Sequence, residues 1–110
     1  MTIFDYHTAG GKNLIIEYIK GLPKKEQAEG YRIRQKIREE GLTALDALDT
    51  RQLKGKLWEI KFYSNRIMYV LCDKDNIYFL HACKKQKNKA EKHELEKAKK
   101  RALEHSLKVD

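Results

Sequence analysis

The sequence predicts an α+β fold in which a helical pair precedes an antiparallel β-meander and a terminal helix closes the chain. Three observations predict it. Apolar residues recur at helical spacing between Asn13 and Glu40. Three strand-length runs rich in aromatic and β-branched residues follow, at 54–62, 66–72 and 77–83, with turn residues Ser64-Asn65 and Asp73-Lys74-Asp75-Asn76 between them. A Lys/Glu-rich stretch, 88–107, then carries a thin apolar stripe.

The elements follow in order. Ile3, Phe4 and Tyr6 form a brief candidate for an extra N-terminal strand, broken by Gly10-Gly11. Asn13 suits the N-cap of a first helix whose inward positions are Leu14, Ile15, Tyr18 and Ile19, with Gly21 closing it. Pro23 is tolerated in the first turn of a second helix, about Lys24 to Glu40, that stops at Gly41. Ala28, Tyr31, Ile33 and Ile37 are its expected apolar positions, with Arg32, Arg34, Lys36 and Arg38 facing outward. Residues 42–53 read as a connector with one helical turn. In the terminal helix, Leu95, Ala98 and Ala102 form the stripe, with Leu103 beside it.

At 110 residues the chain is expected to be one domain, 1–110. No stretch approaches the roughly 18 apolar residues of a membrane span. The N-terminus lacks the basic and apolar regions of a secretory signal, so a cytoplasmic protein is expected. Cys72 and Cys83 lie inside apolar runs and are expected to be buried and unbridged. His7, His81, His93 and His105 are scattered, so neither a metal site nor a cofactor is expected. Residues 84–110 hold ten Lys/Arg against five Asp/Glu, a net +5 of the total +8. Such a balance favours a polyanionic partner, nucleic acid or an acidic protein; the bland alternative is a solvated helix face.

If residues 73–76 form a hairpin turn, Cys72 pairs with Ile77 and Arg66 with Cys83. Met68 and Val70 then share a face with Phe79 and His81, and Ile67, Tyr69, Leu71, Tyr78 and Leu80 occupy the other. That register sets Arg66 beside Lys84-Lys85, so Arg66, Lys84, Lys85 and Lys87 are expected to converge at one end of the sheet. A cationic pocket without a carboxylate pair suits phosphate chemistry. In RNA cleavage by a 2′-hydroxyl, Arg66 would stabilise charge on phosphorus, and a lysine with a depressed pKa would serve as base. Trp58 reads as core, and Glu59 as an ion-pair partner of Arg66 or Lys61. Lys54 and Lys56, flanking Gly55, either grip RNA or are merely solvated.

The runs Leu57-Trp58-Glu59-Ile60-Lys61, Arg66-Ile67-Met68-Tyr69 and Leu80-His81-Ala82-Cys83-Lys84-Lys85-Gln86-Lys87, followed by Ala98 and Arg101, resemble the RelE/ParE toxin superfamily. The nearest branch is the phage-derived Gp49-like group that includes HigB toxins. The resemblance implies a RelE-like, microbial-RNase-like fold and a type II toxin that cleaves mRNA on the ribosome without a metal. It implies a cognate antitoxin, of helix-turn-helix HigA-like type, through which alone operator DNA is bound. Arg66 matches the family's central-strand arginine, and Lys85, with Lys84, the basic residue after the last strand. Lys54, Lys56, Lys61, Lys89 and His93 are the expected RNA contacts. The strand lysines of RelE fall on Leu57 and Glu59, and its late tyrosine has no counterpart. The base and acid therefore stay open among Lys85, Lys87, Lys89 and His93, with His81 a further candidate. Two other functions remain open: a ParE-like topoisomerase poison and a non-catalytic nucleic-acid-binding module.

Overall fold

The structure is a computed structural model and describes residues 1–85 and 89–110. Its elements are β1 (Thr2–Asp5), α1 (Leu14–Lys20), α2 (Lys24–Glu40), α3 (Leu42–Ala47), β2 (Thr50–Lys54), β3 (Leu57–Phe62), β4 (Asn65–Asp73), β5 (Asn76–Lys84) and α4 (Lys89–Glu104). The strands form one sheet in the order β1-β5-β4-β3-β2. The α+β expectation holds. The meander has four strands rather than three, because the supposed connector contains both α3 and the edge strand β2. The N-terminal strand is real and runs parallel to β5, which makes the sheet mixed.

Each face of the sheet has its own core. On one side Ile15, Ile19, Ile33, Ile37 and Leu45 pack on Ile60, Phe62, Ile67, Tyr69, Ile77 and Phe79. On the other, Ala98 and Ala102 of α4 cover Leu57, Met68, Val70, Leu80 and Cys83. Helix α1 starts where expected, because the Asn13 side chain accepts hydrogen bonds from the Ile15 and Ile16 amides at 3.0 and 2.9 Å. Helix α2 has the expected ends but a different inner stripe. Gly30, Ile33, Arg34 and Ile37 face in, while Tyr31 and Ala28 are exposed. Gly30 lets the two helices approach closely, since a Cβ there would lie 3.2 Å from Ile19. Arg34 turns inward because Asp5 on β1 receives its fork in two 2.7 Å bonds. Both side chains are nearly fully buried, and this pair locks β1 to α2.

The β4–β5 register contains two compensating bulges. Asp73 pairs with Asn76, but Leu71 pairs with Ile77, so Cys72 is extruded and exposed. The expected Cys72–Ile77 pair and buried Cys72 are thereby corrected. Leu80 is the extra residue on the other strand, after which Met68 pairs with His81 and Arg66 with Cys83, as expected. Between the bulges the facing assignment shifts. Phe79 joins Tyr69 on the α1/α2 side, while Leu80 packs with Met68 and Val70 under α4.

Two turns carry positive φ values of note. Gly55, at +55°, joins β2 to β3, and the chain's end lies so close that any Cβ there would collide with the Val109 carbonyl. Tyr63, at +53°, joins β3 to β4; a bulky residue there stores strain on the order of 1–3 kcal/mol. Among the described residues, no helix is long and apolar enough to cross a membrane.

Candidate functional site

Arg66 is among the largest fully buried side chains of the protein, 1% exposed beneath α4. A buried guanidinium requires compensating charge. Glu59, on the neighbouring strand and fully buried, accepts from Arg66 Nε, and Glu91 of α4 accepts from Nη2 at 3.0 Å. Arg51 of β2 extends the network, donating Nε to the second oxygen of Glu59 at 2.9 Å and Nη2 to Glu91 at 3.3 Å. Among the described residues, Arg66 Nη1 has no hydrogen-bond partner. A buried donor left unpaired is costly, so this nitrogen is the feature of the network that calls for a ligand. Arg66 also lines a cavity of about 380 Å³ together with Arg51, Gln52, Leu53, Glu91, Lys92 and Leu95.

This geometry reorders the expected cluster. Lys84 pairs with Asn65, so alternation turns it to the opposite face from Arg66, where Nζ lies 3.5 Å from Glu26 of α2. Lys84 therefore does not join Arg66. Lys85 is exposed and continues the ladder by one bond, its amide donating to the Ser64 carbonyl at 2.8 Å. Lys87 lies outside the described residues, as does the side chain of Lys89. Lys61 stands directly opposite Arg66 in the β3–β4 register. Lys54 and Lys56 flank the β2–β3 turn at the far end of β3, roughly 13 Å of strand from the Arg66 position. His93 is exposed on α4.

The pocket also differs in charge from the expected one, because Glu59 and Glu91 sit among its cations. Glu59 holds Arg66, the ion-pair role expected of it. Trp58 is partly buried and packs against the α1/α2-side core. Arg51, Gln52 and Lys92 are pocket residues that sequence reasoning missed. Arg51 and Gln52 lay in the presumed connector, and only recognition of an edge strand pairing with β3 would have found them. Lys92 was indistinguishable from its neighbours in a lysine-rich helix.

A second polar cluster docks α4. His81 Nε2 lies 2.6 Å from Glu94, and Arg101 Nη1 donates to His81 Nδ1 at 3.1 Å and to the Leu80 carbonyl at 3.0 Å. Because arginine can only donate, Nδ1 must accept and Nε2 must carry the proton it gives to Glu94. Burial lowers the His81 pKa, and Glu94 only partly offsets this. Burial, reinforced by Glu94, pushes the Cys83 thiol up to about 12. His81, Cys83 and Glu94 present ligand atoms within 4.8 Å of one another, close enough for a metal ion. The arrangement does not favour one: metal on Nε2 would move the imidazole proton to Nδ1, against the Arg101 N–H.

No curated protein matches the chain significantly. Residues 17–103 match the phage-derived Gp49-like protein family, a RelE/HigB-type toxin family whose members imply an antitoxin partner. The match spans α1 to α4, including Arg66 and the pocket around it. The chain belongs to the Gp49-like family of phage-derived, toxin-type proteins.

Proposed function

We propose that the protein is the toxin of a type II toxin–antitoxin pair and acts as a ribosome-dependent mRNA endonuclease, inhibiting translation without a metal cofactor. The observation that supports this reading is the buried Arg66 guanidinium, fixed on a central strand beside a cavity and holding one N–H without a described partner. Attack of a ribose 2′-oxygen on the adjacent phosphorus breaks the bond to the 5′-oxygen of the next nucleotide. Charge builds on the non-bridging oxygens, and a guanidinium already held in place stabilises it without reorganising.

In this mechanism Glu59 orients Arg66, and the scissile phosphate displaces Glu91, whose side chain is 40% exposed. Arg51 and Lys92 add positive charge at the cavity mouth. Lys85, exposed just past β5, and Lys92, in the cavity lining, are candidates for moving the 2′-proton, along with Lys87, Lys89 and His93. His81 is poorly suited, because Arg101 and Glu94 already engage both its ring nitrogens. The partly exposed Lys61, the exposed Lys54 and Lys56 and the exposed His93 would contact the ribosome-bound RNA. The partners are a HigA-like helix-turn-helix antitoxin, which brings operator DNA to the complex, and the ribosome of the cytoplasm.

One observation favours a second reading. Two carboxylates already hold Arg66, as expected if the network merely buttresses a ParE-like surface that poisons a topoisomerase. Induction of the wild type and Arg66→Lys in cells, with mRNA 5′ ends mapped and translation followed, separates the two. New 5′ ends in the wild type only are expected. Growth arrest with intact mRNA and continuing translation would sink the nuclease reading.

A further inference from the structure

The β3–β4 hairpin turns through Tyr63 and Ser64, with Phe62 paired to Asn65 on either side. Tyr63 has φ +53°, whereas Ser64 does not share the positive φ. This is the pattern in which glycine is preferred at the first central position. The sequence instead keeps a tyrosine there, against local backbone preference, and leaves it 63% exposed. A local rule broken at an exposed aromatic points to a surface function rather than to packing.

The surroundings indicate what it contacts. Tyr63 lines a cavity of about 480 Å³ on the α2/α3 side of the sheet, together with Arg32, Ile33, Leu48, Lys61 and Phe62, and Lys61 is the register partner of Arg66, which faces α4. Lys85 is tied to the same turn through its amide bond to Ser64. No described aromatic ring stacks on Tyr63. An open aromatic face next to lysines, beside a cavity of this size, is how proteins hold an unstacked base of a single strand. Glu29 and Asp49 also line the cavity, which disfavours a bare phosphate there and suits a neutral ring.

We infer that Tyr63 is a stacking platform for an unpaired RNA base on the α2/α3 side of the sheet, reached by a strand that passes around the β3–β4 turn from the phosphate held at Arg66 on the α4 side. The inference rests on the RNA-directed reading of the Arg66 pocket. Stacking uses the ring and not the phenol hydroxyl, so Tyr63→Phe should behave as wild type. Asparagine tolerates the left-handed region, so Tyr63→Asn removes the ring while easing the backbone.

The test is fluorescence anisotropy with a labelled 2′-O-methyl heptanucleotide, a single strand that cannot be cleaved by its own 2′-oxygen. Thermal melting of each variant runs alongside, with Tyr63→Gly as a second ring deletion. The expected result is wild-type affinity for Tyr63→Phe and about tenfold weaker binding for Tyr63→Asn and Tyr63→Gly, with melting temperatures at or above wild type. Equal affinity in the ring-deleted variants, with binding still weakened by Arg66→Lys, would overturn the stacking site and leave the RNA reading standing. Loss in Tyr63→Phe equal to that in Tyr63→Asn would also overturn it, by assigning the effect to the hydroxyl. No binding by any form would remove both. Loss of antitoxin affinity alone in Tyr63→Asn would reassign the residue to the protein interface.

Discussion

Glu59 and Arg66 face the same side of adjacent central strands and form an ion pair in which both side chains are almost wholly buried. Deleting one member of such a pair strands the other charge. Glu59→Leu is therefore expected to cost about 3–5 kcal/mol, measured as a shift in the urea midpoint at constant slope. Combining it with Arg66→Met should recover much of that loss. A Glu59→Leu variant as stable as wild type would show that Glu91 alone suffices to balance Arg66. The same pair governs how Arg66 variants are read, because Arg66→Ala removes a structural cation as well as the proposed phosphate ligand. Arg66→Lys keeps the charge and loses the fork, which makes it the cleaner probe.

Glu91 bonds the same Arg66 fork that a phosphate would need, from a partly exposed position on α4. Glu91→Ala is accordingly expected to tighten binding of single-stranded RNA. The gain should be about two- to fivefold at low salt, the range set by a partly exposed ion pair, and should shrink as salt rises. Titration of the 2′-O-methyl heptanucleotide into wild type and variant at two salt concentrations checks this. Unchanged affinity would mean that RNA does not compete for Arg66.

The α4 docking cluster predicts an acid limb of stability in two steps. Burial holds the His81 pKa below its ordinary 6.5. The unfolded chain therefore takes the proton first, so this contribution is complete above about pH 6.5 and is lost as pH falls from there toward the folded value. Burial pushes the Glu94 pKa up, but the bonds from Cys83 and His81 and the nearby cations outweigh it, leaving the carboxyl below its ordinary 4.5. Its contribution is lost at lower pH, as the carboxylate protonates in the folded state. Thermal melting of wild type should decline as pH falls below about 6.5, and His81→Gln should be flatter over that fall. Parallel curves would place the titration elsewhere.

Much of this architecture can be read from local patterns. The caps at Asn13 and Gly41, the strand runs and the Ala98/Ala102 stripe all follow from residues within one turn or one hairpin. The Arg66–Cys83 pairing was legible even though the hairpin between is irregular, because the bulges at Cys72 and Leu80 cancel. The illegible parts depend on partners distant in sequence. Arg34 reads as a surface cation until β1 brings Asp5 to it, 29 residues away. Arg51 reads as loop until β2 pairs with β3, and Glu91 joins Arg66 only once α4 has folded back over the sheet. Lys84 is the instructive error: adjacency to Cys83 suggested proximity to Arg66, while the two-residue period of a strand sends the side chain to the other face.

The proposed role of Arg66 is to stabilise phosphate charge during cleavage of mRNA on the ribosome. Its most direct test is to add purified protein, wild type or Arg66→Lys, to ribosomes programmed with a defined mRNA and to analyse the ends produced. Attack by the 2′-oxygen should leave wild-type products bearing a 2′,3′-cyclic phosphate and a 5′-hydroxyl. A folded Arg66→Lys variant should cleave at least about a hundredfold more slowly, the scale expected for losing a transition-state donor. Intact mRNA with wild-type protein, or equal rates for the two proteins, would contradict that role.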